Sequence, residues 1–414
     1  MTIATQDAPE AGKPGLKRSL NLPLLVLYGL GTTIGAGIYV LVGAAAGRAG
    51  IYAPMAFIVA TIGLAPTAIS YGELASRYPV SAGEAAYVNA GFGSRAMSLF
   101  VGWLVIVSGV VASAAIAIGC AGYIRTFVDL PPSVLLTGVI VSMGLVAAWG
   151  IIESVLLAAL FTIIEAGGLI VLIYAGFAHE GDLLLRIPET FPPIADLGIW
   201  LGIANAGLLA VFAFIGFEDM VNVAEETKRP RITMPWAIII TLALTTILYT
   251  LVTMVAVLSV APAELARSQA PLSLVYGRLT GSSPVMISGV AIFATANTIL
   301  VQMIMASRVI YGMAGQGTMP KLFARVNALT HTPVIATIAV VAATLVLALG
   351  FNLERLAEMT SQIVLVIWAL TNMALVLIKW RKEPAPDGAF IVPMWVPMTG
   401  FVFSCALIVL SSIA

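Results

Sequence analysis

The chain has 414 residues, with 20 Lys and Arg balanced by 20 Asp and Glu, so its formal net charge is zero. Hydrophobic residues make up 60% and charged residues 10%, and the mean hydropathy is +1.04; a soluble domain carries about 25% charge. This balance excludes a soluble enzyme core and gives no basis for nucleic-acid binding, and two His residues, His179 and His331, make a metal centre improbable.

Residues 1–14 are polar and lack the apolar stretch and small-residue cleavage site of a secretory signal, so residues 1–20 read as a short cytoplasmic tail. Apolar runs near the 20 residues that span a hydrocarbon core then recur along the chain. They fall at 24–43, 52–76, 96–122, 133–151, 154–177, 197–217, 236–260, 286–313, 334–350, 360–379 and 391–413, eleven in all. The longest polar connections are 178–196 and 225–235, and no linker divides the chain into soluble domains. Cys120 and Cys405 both fall inside apolar runs, where a thiol is a small buried hydrophobe.

Two of these runs are interrupted at matching places in the two halves. Span 1 carries Gly29, Gly31, Gly35 and Gly37 in its middle, and span 6 ends in Phe214-Ile-Gly-Phe217 followed at once by Glu218 and Asp219. A break in a membrane helix frees N–H and C=O groups that lipid cannot satisfy, so it is tolerated only around a cavity or ligand. Paired breaks point to a transporter binding site near the bilayer midplane.

Where span 1 resumes, the amides of Ile34, Gly35, Ala36 and Gly37 lie at a helix start and form a cradle suited to a carboxylate, to which Thr32 or Thr33 adds a hydroxyl. The alternative is that these glycines serve close helix packing, which is the favoured reading for Gly29. In span 6 the first half-helix ends near Phe214, leaving carbonyls of Phe212, Ala213 and Ile215, beside Gly216, to receive an ammonium. Phe212, Phe214 and Phe217 either wall the pocket or pack against other helices. A carboxylate acceptor opposite an ammonium acceptor describes an α-amino acid.

Intramembrane acids are few. Glu165, in the middle of span 5, is costly as an unpaired carboxylate unless it is protonated or faces water. It is read either as the carrier of a coupling proton or as a structural carboxyl. Glu218 is a second protonation site or a favourable charge at the start of the inner half-helix. Sodium coupling is the rival, with hydroxyls available at Thr295 and Thr298 beside Asn297 in span 8.

Fourteen of the twenty Lys and Arg fall on one side if the N-terminus is cytoplasmic, which sets that orientation.

Several stretches together resemble the amino acid-polyamine-organocation (APC) permeases. They are Gly31-Thr-Thr-Ile-Gly-Ala-Gly-Ile-Tyr39, Tyr71-Gly-Glu-Leu with Pro79-Val-Ser-Ala-Gly-Glu84, Phe214-Ile-Gly-Phe-Glu218 running into Ala224-Glu-Glu-Thr-Lys-Arg-Pro230, and Ser307-Arg308 with Tyr311-Gly-Met-Ala and Met319-Pro320. The resemblance implies an all-α integral membrane protein of leucine-transporter-like fold, a five-plus-five inverted repeat with about eleven membrane helices and helices 1 and 6 unwound. Repeat one would cover about 21–177 and repeat two about 197–380, within a core of 21–380. A peripheral eleventh helix lies in 381–414, and the family's usual twelfth has no counterpart. In some relatives a lysine stands near the place of Glu165, at the position of a lost sodium site. In arginine/agmatine antiporters the glutamate matching Glu218 is associated with pH-dependent gating. Ala82-Gly83-Glu84 and Gln316-Gly317 depart from the family's usual Gly-Gly and Asp-Gly.

The expected activity is secondary transport of L-amino acids across the cytoplasmic membrane by alternating access, with a coupling proton and no cofactor. Neutral substrates are preferred, and cationic amino acids, polyamines or other amines are the alternative. No His-Glu-x-x-His or Ser/His/Asp set supports an intramembrane enzyme, and a channel is the reading from another class.

Overall fold

In a computed structural model the described residues are 18–35, 37–80, 83–149, 155–315, 317–327, 329–330 and 332–413. The polar tail, Ala36, Ala82, Gln316 and His331 lie outside them. The described chain is helical, with a single β-bridge between Leu20 and Thr227.

The helices are α1 (Leu22–Ile34), α2 (Gly37–Ala49), α3 (Ala53–Arg77), α4 (Gly83–Phe92), α5 (Arg95–Ile124), α6 (Pro132–Trp149), α7 (Val155–His179) and the single turn α8 (Leu183–Arg186). The second half contains α9 (Leu197–Phe214), a 3-10 segment (Glu218–Glu226), α10 (Pro230–Ser259), α11 (Pro262–Arg267) and α12 (Pro271–Thr280). It continues through α13 (Val285–Gly315), α14 (Val334–Gly350), α15 (Leu353–Trp380) and α16 (Trp395–Ile413). Eight helical stretches among the described residues are long and apolar enough to cross a membrane, and Leu22–Ile34, Val334–Gly350 and Trp395–Leu410 are shorter apolar helices.

Helix starts follow local chemistry. Asn21 accepts the Leu24 N–H at 3.1 Å, Asp196 that of Ile199 at 3.2 Å and Asn352 that of Arg355 at 2.9 Å, each satisfying a donor that a helix start leaves free. Between helices, small residues set the spacing. Gly72 of α3 lies against Pro235 of α10, and Gly91 of α4 against the backbone of Ala374 in α15. The hydroxyls of Thr61 and Thr246 meet at 2.9 Å between α3 and α10. On the outer surface of the bundle Ile62, Leu145, Trp149, Tyr174, Val346 and Trp380 are all more than 60% exposed, as a lipid-facing surface requires.

Buried polar residues are tied together. Glu73 has no exposed surface, and its carboxylate meets Arg77 Nε and Lys379 Nζ, each at 2.7 Å, while accepting the Val392 N–H at 2.8 Å. One buried acid thereby holds α3, α15 and the approach to α16 together at the end of the bundle that also bears Leu20. The outcome for the two Cys residues is unremarkable: Cys120 is buried, and Cys405 is half-buried.

The apolar runs expected at 24–43 and 197–217 are the two that break. α1 stops at Ile34 and α2 starts at Gly37; α9 stops at Phe214, and Ile215–Phe217 form a turn before the 3-10 segment. The connection between α10 and α13, which carried no separate prediction, folds into the short helices α11 and α12.

Candidate substrate site and its access route

The two breaks meet one another. Gly37 sits so close to Ala213 that a methyl group there would run into the Ala213 backbone, and one on Gly216 would run into the Thr32 carbonyl. Gly216 also has φ 124°, a backbone region that only glycine occupies readily. The Thr32 hydroxyl lies 2.9 Å from the Gly216 carbonyl and 3.0 Å from that of Gly29, while the Thr33 hydroxyl donates to Gly29 at 2.8 Å. Glu218, 7% exposed, accepts the Gly216 N–H at 3.0 Å, so its carboxylate satisfies an amide that the break released.

Tyr249 of α10 completes this junction. Its buried hydroxyl is 2.7 Å from the Thr33 carbonyl and 3.0 Å from the Ala213 carbonyl, and so serves the last turn of both α1 and α9. Its ring packs against Phe57 and Phe214. This corrects part of the expectation for span 6. The Ala213 carbonyl is engaged by Tyr249, and that of Phe212 accepts the Ile215 N–H at 3.2 Å, so neither is simply free for a ligand. Phe214 and Phe217 are fully buried in aromatic contacts with Phe57, Tyr249, Tyr71 and Trp368, which makes them packing residues.

Two cavities adjoin the junction. A smaller one, about 40 Å³, lies between Gly31 and Thr32 of α1, Thr162 of α7, and Asn297 and Thr298 of α13. A vestibule of about 670 Å³ shares Tyr28, Asp219, Val301 and Gln302 with it. The vestibule is lined near the middle of its helices by Val105, Ser108, Met305, Val364 and Ile367, beside Ile215. Towards the face bearing Leu20 it is lined by Glu84, Glu226, Arg308 and Gly312. Of the residues expected at the site, Ile215 and Glu218 line the vestibule directly. Thr33, Ile34, Gly35, Gly37, Phe212 and Ala213 are buried at the junction and line neither of the two cavities, and Gly35 abuts Thr298. Ala36 is outside the described residues.

Glu165 of α7 is fully buried. Asn297 Nδ2 approaches its Oε1 at 3.4 Å, its Oε2 has no partner among the described residues, and its main-chain carbonyl accepts the Tyr39 hydroxyl at 2.6 Å. Burial holds the Glu84 carboxyl above its usual range, against the opposing effect of hydrogen bonds from its own backbone and from Tyr71. No group of three or more His, Cys, Asp or Glu suited to a metal ion occurs among the described residues.

At the opposite face the route is shut. α11 and the loop joining it to α12 lie over α2 and α5, where Gly43 faces the Leu265 carbonyl of α11 and Gly122 the Gln269 carbonyl of the loop with no room for a methyl group. Arg125 donates to Gln269 at 2.8 Å. Arg48 of α2 bridges to Glu354 and Glu358 of α15 at 3.1 and 2.5 Å and reaches the Asn205 carbonyl of α9 at 3.3 Å.

A helical bundle with two breaks meeting beside a cavity, open to one face and closed to the other, defines a multi-pass membrane transport protein rather than an enzyme. The amino acid permease family model matches residues 20–414, and the chain belongs to that family, within the APC superfamily. Similar proteins include the branched-chain amino acid permease BcaP of Bacillus subtilis, 28% identical over 93% of this chain and 86% of its own length. A vacuolar cationic amino acid transporter 4 of Arabidopsis thaliana is 30% identical over 91% of this chain and 65% of its own length. A methylthioribose transporter of Bacillus subtilis is 27% identical over 97% of this chain and 89% of its own length.

Tyr249, Thr162 and the α11–α12 lid were missed in the sequence. Tyr249 stands inside an uninterrupted apolar run, and nothing local marks it as facing two broken helices. The prolines at 262 and 271 were the only available signal for the lid.

Proposed function

We propose that this permease moves neutral L-amino acids across the cytoplasmic membrane by alternating access, in eleven crossings with the N-terminus and the vestibule on the cytoplasmic side. The observation that carries the reading is the junction of the two broken helices beside a vestibule that opens at one face while the lid and the Arg48 ion pairs shut the other. That is the arrangement of an inward-open carrier; a channel needs a pore open to both faces at once. Pairing of α3 with α10 and of α5 with α13, one helix from each half, supports the five-plus-five repeat.

The substrate carboxylate is assigned to the amides at the start of α2, and its ammonium to the vestibule side of Ile215 and Gly216. Val105, Met305, Val364 and Ile367 offer an apolar lining for its side chain, which favours a neutral substrate. The branched-chain selectivity in the name of the BcaP relative agrees with this. A second reading, cationic substrates, draws on Glu84, Glu218, Asp219 and Glu226 along the vestibule and on the cationic transporter relatives.

Coupling is assigned to a proton on Glu165, whose unpartnered Oε2 is the motivating feature. The test is uptake into proteoliposomes under an imposed pH gradient without sodium, comparing L-leucine with L-arginine. Leucine accumulation that Glu165→Gln renders insensitive to the gradient is the expected result. Arginine preference would select the second reading, and sodium dependence would remove the proton assignment.

A further inference from the structure

Five charged side chains line the vestibule, and four of them are the acids Glu84, Glu218, Asp219 and Glu226. The fifth, Arg308 of α13, is exposed and is the only basic residue of that lining among the described residues. Other arginines at this end of the bundle are tied down. Arg77 Nε meets Glu73 at 2.7 Å, Arg231 Nη1 donates to the Asp387 carbonyl at 2.8 Å, and Arg381 Nη1 donates to that of Gly91 at 2.7 Å. Arg308 has no ion pair or hydrogen bond of this kind among the described residues. Val301, Met305, Arg308 and Gly312 recur at the spacing of one helix face, so Arg308 stands about 10 Å along α13 from Val301, where the vestibule meets the inner cavity. Glu226 ends the 3-10 segment at the same face, held there by its carbonyl, which accepts the Leu20 N–H at 3.1 Å.

We propose that Arg308 and Glu226 form a second α-amino acid site at the mouth of the vestibule, which holds the substrate between the junction of the broken helices and the open face. The inference rests on the amino acid transport reading and adds a separate site to it. A guanidinium presents parallel N–H donors that match a carboxylate, and a carboxylate of the protein accepts an ammonium. A ligand bearing only a carboxylate meets four acids against one guanidinium, and an amine leaves Arg308 unused. A zwitterion engages both charges. Ile304, Met305 and Val309 wall the cleft beside Arg308, and apolar walls strengthen the field of a charge at a cleft mouth and raise the local concentration of its ligand. The separation along α13 exceeds the span between the ammonium and carboxylate of one amino acid, so a molecule at the mouth is distinct from one at the junction.

The test is equilibrium binding of radiolabelled L-leucine and L-arginine to the detergent-solubilised protein, titrated into the millimolar range. The natural protein is expected to bind two molecules of its substrate, Arg308→Gln one, and Arg308→Lys two, the second more weakly because the ammonium lacks the paired donors. One molecule on the natural protein, or two on Arg308→Gln, overturns the second site and leaves the transport reading standing. Binding of neither amino acid overturns both. A second measurement needs no variant: phenylglyoxal labelling of Arg308, read by peptide mass spectrometry. Substrate at four times the second dissociation constant is expected to slow the labelling about fivefold. The decarboxylated amine of the same substrate is expected to leave it unchanged. Protection by the amine as well, or by neither compound, overturns the site.

Discussion

The Tyr249 hydroxyl has one proton and two carbonyl neighbours, one from each broken helix. Replacing it by Phe leaves both acceptors buried, a loss of about 1–3 kcal/mol. Tyr249→Phe should therefore lower the thermal midpoint in detergent. Glu84 allows a prediction with a defined sign. Its carboxyl is held above its ordinary range by burial, so the folded state binds a proton that the unfolded state has released, and stability falls as pH rises through the window between the two values. Glu84→Gln removes that dependence. The variant should match the natural protein at acidic pH and exceed it as pH rises towards neutral in a pH series of thermal melts. At this scale the sequence was partly legible. Gly35 and Gly216 were marked by their place inside apolar runs, and Gly216 does adopt a backbone conformation that other residues avoid. The three phenylalanines were ambiguous because an aromatic ring in a membrane helix has the same composition whether it faces a cavity or another ring. Contacts with Phe57, Tyr249, Tyr71 and Trp368 resolve two of them as packing.

The broken helices depend on their neighbours for what a continuous helix supplies internally. Thr32, Glu218 and Tyr249 satisfy groups released at the junction, and glycines at 37 and 216 let the backbones approach. The opposite face is closed by different means. The Arg48 ion pairs link α2 to α15 with about a fifth of each inner partner exposed, which limits their worth to about 1 kcal/mol. Arg48→Ala should accordingly loosen the closure without unfolding the protein. The measurement is the rate at which an impermeant maleimide labels Leu265→Cys, which lies buried in α11, and a rise of about fivefold is expected. The helices themselves were legible from hydropathy because apolar length is a local property. The lid was not, since α11 and α12 are short, and only the seat of Leu265 on Gly43 and of Gln269, in the loop between them, on Gly122 makes this segment part of the transport route.

At the scale of the whole molecule, the orientation proposed from the asymmetry of Lys and Arg has a direct test. If the face bearing Leu20 is cytoplasmic, Lys228→Cys should react with an impermeant maleimide only in inside-out vesicles, and Arg278→Cys only in right-side-out ones. The opposite pattern would reverse the direction assigned to the vestibule. Composition, the recurrence of apolar runs and the two glycine interruptions determined that this is a helical membrane protein with breaks in its first and sixth runs. Those properties are carried by residues near one another along the chain. Tertiary structure alone decided that the breaks face each other, that Tyr249 caps both, that the Leu20 end of α1 is fastened to the segment beyond the second break, and that one face is open while the other is shut. Each of these depends on groups separated by many residues, whose meeting is set by how the helices pack and leaves no local signature.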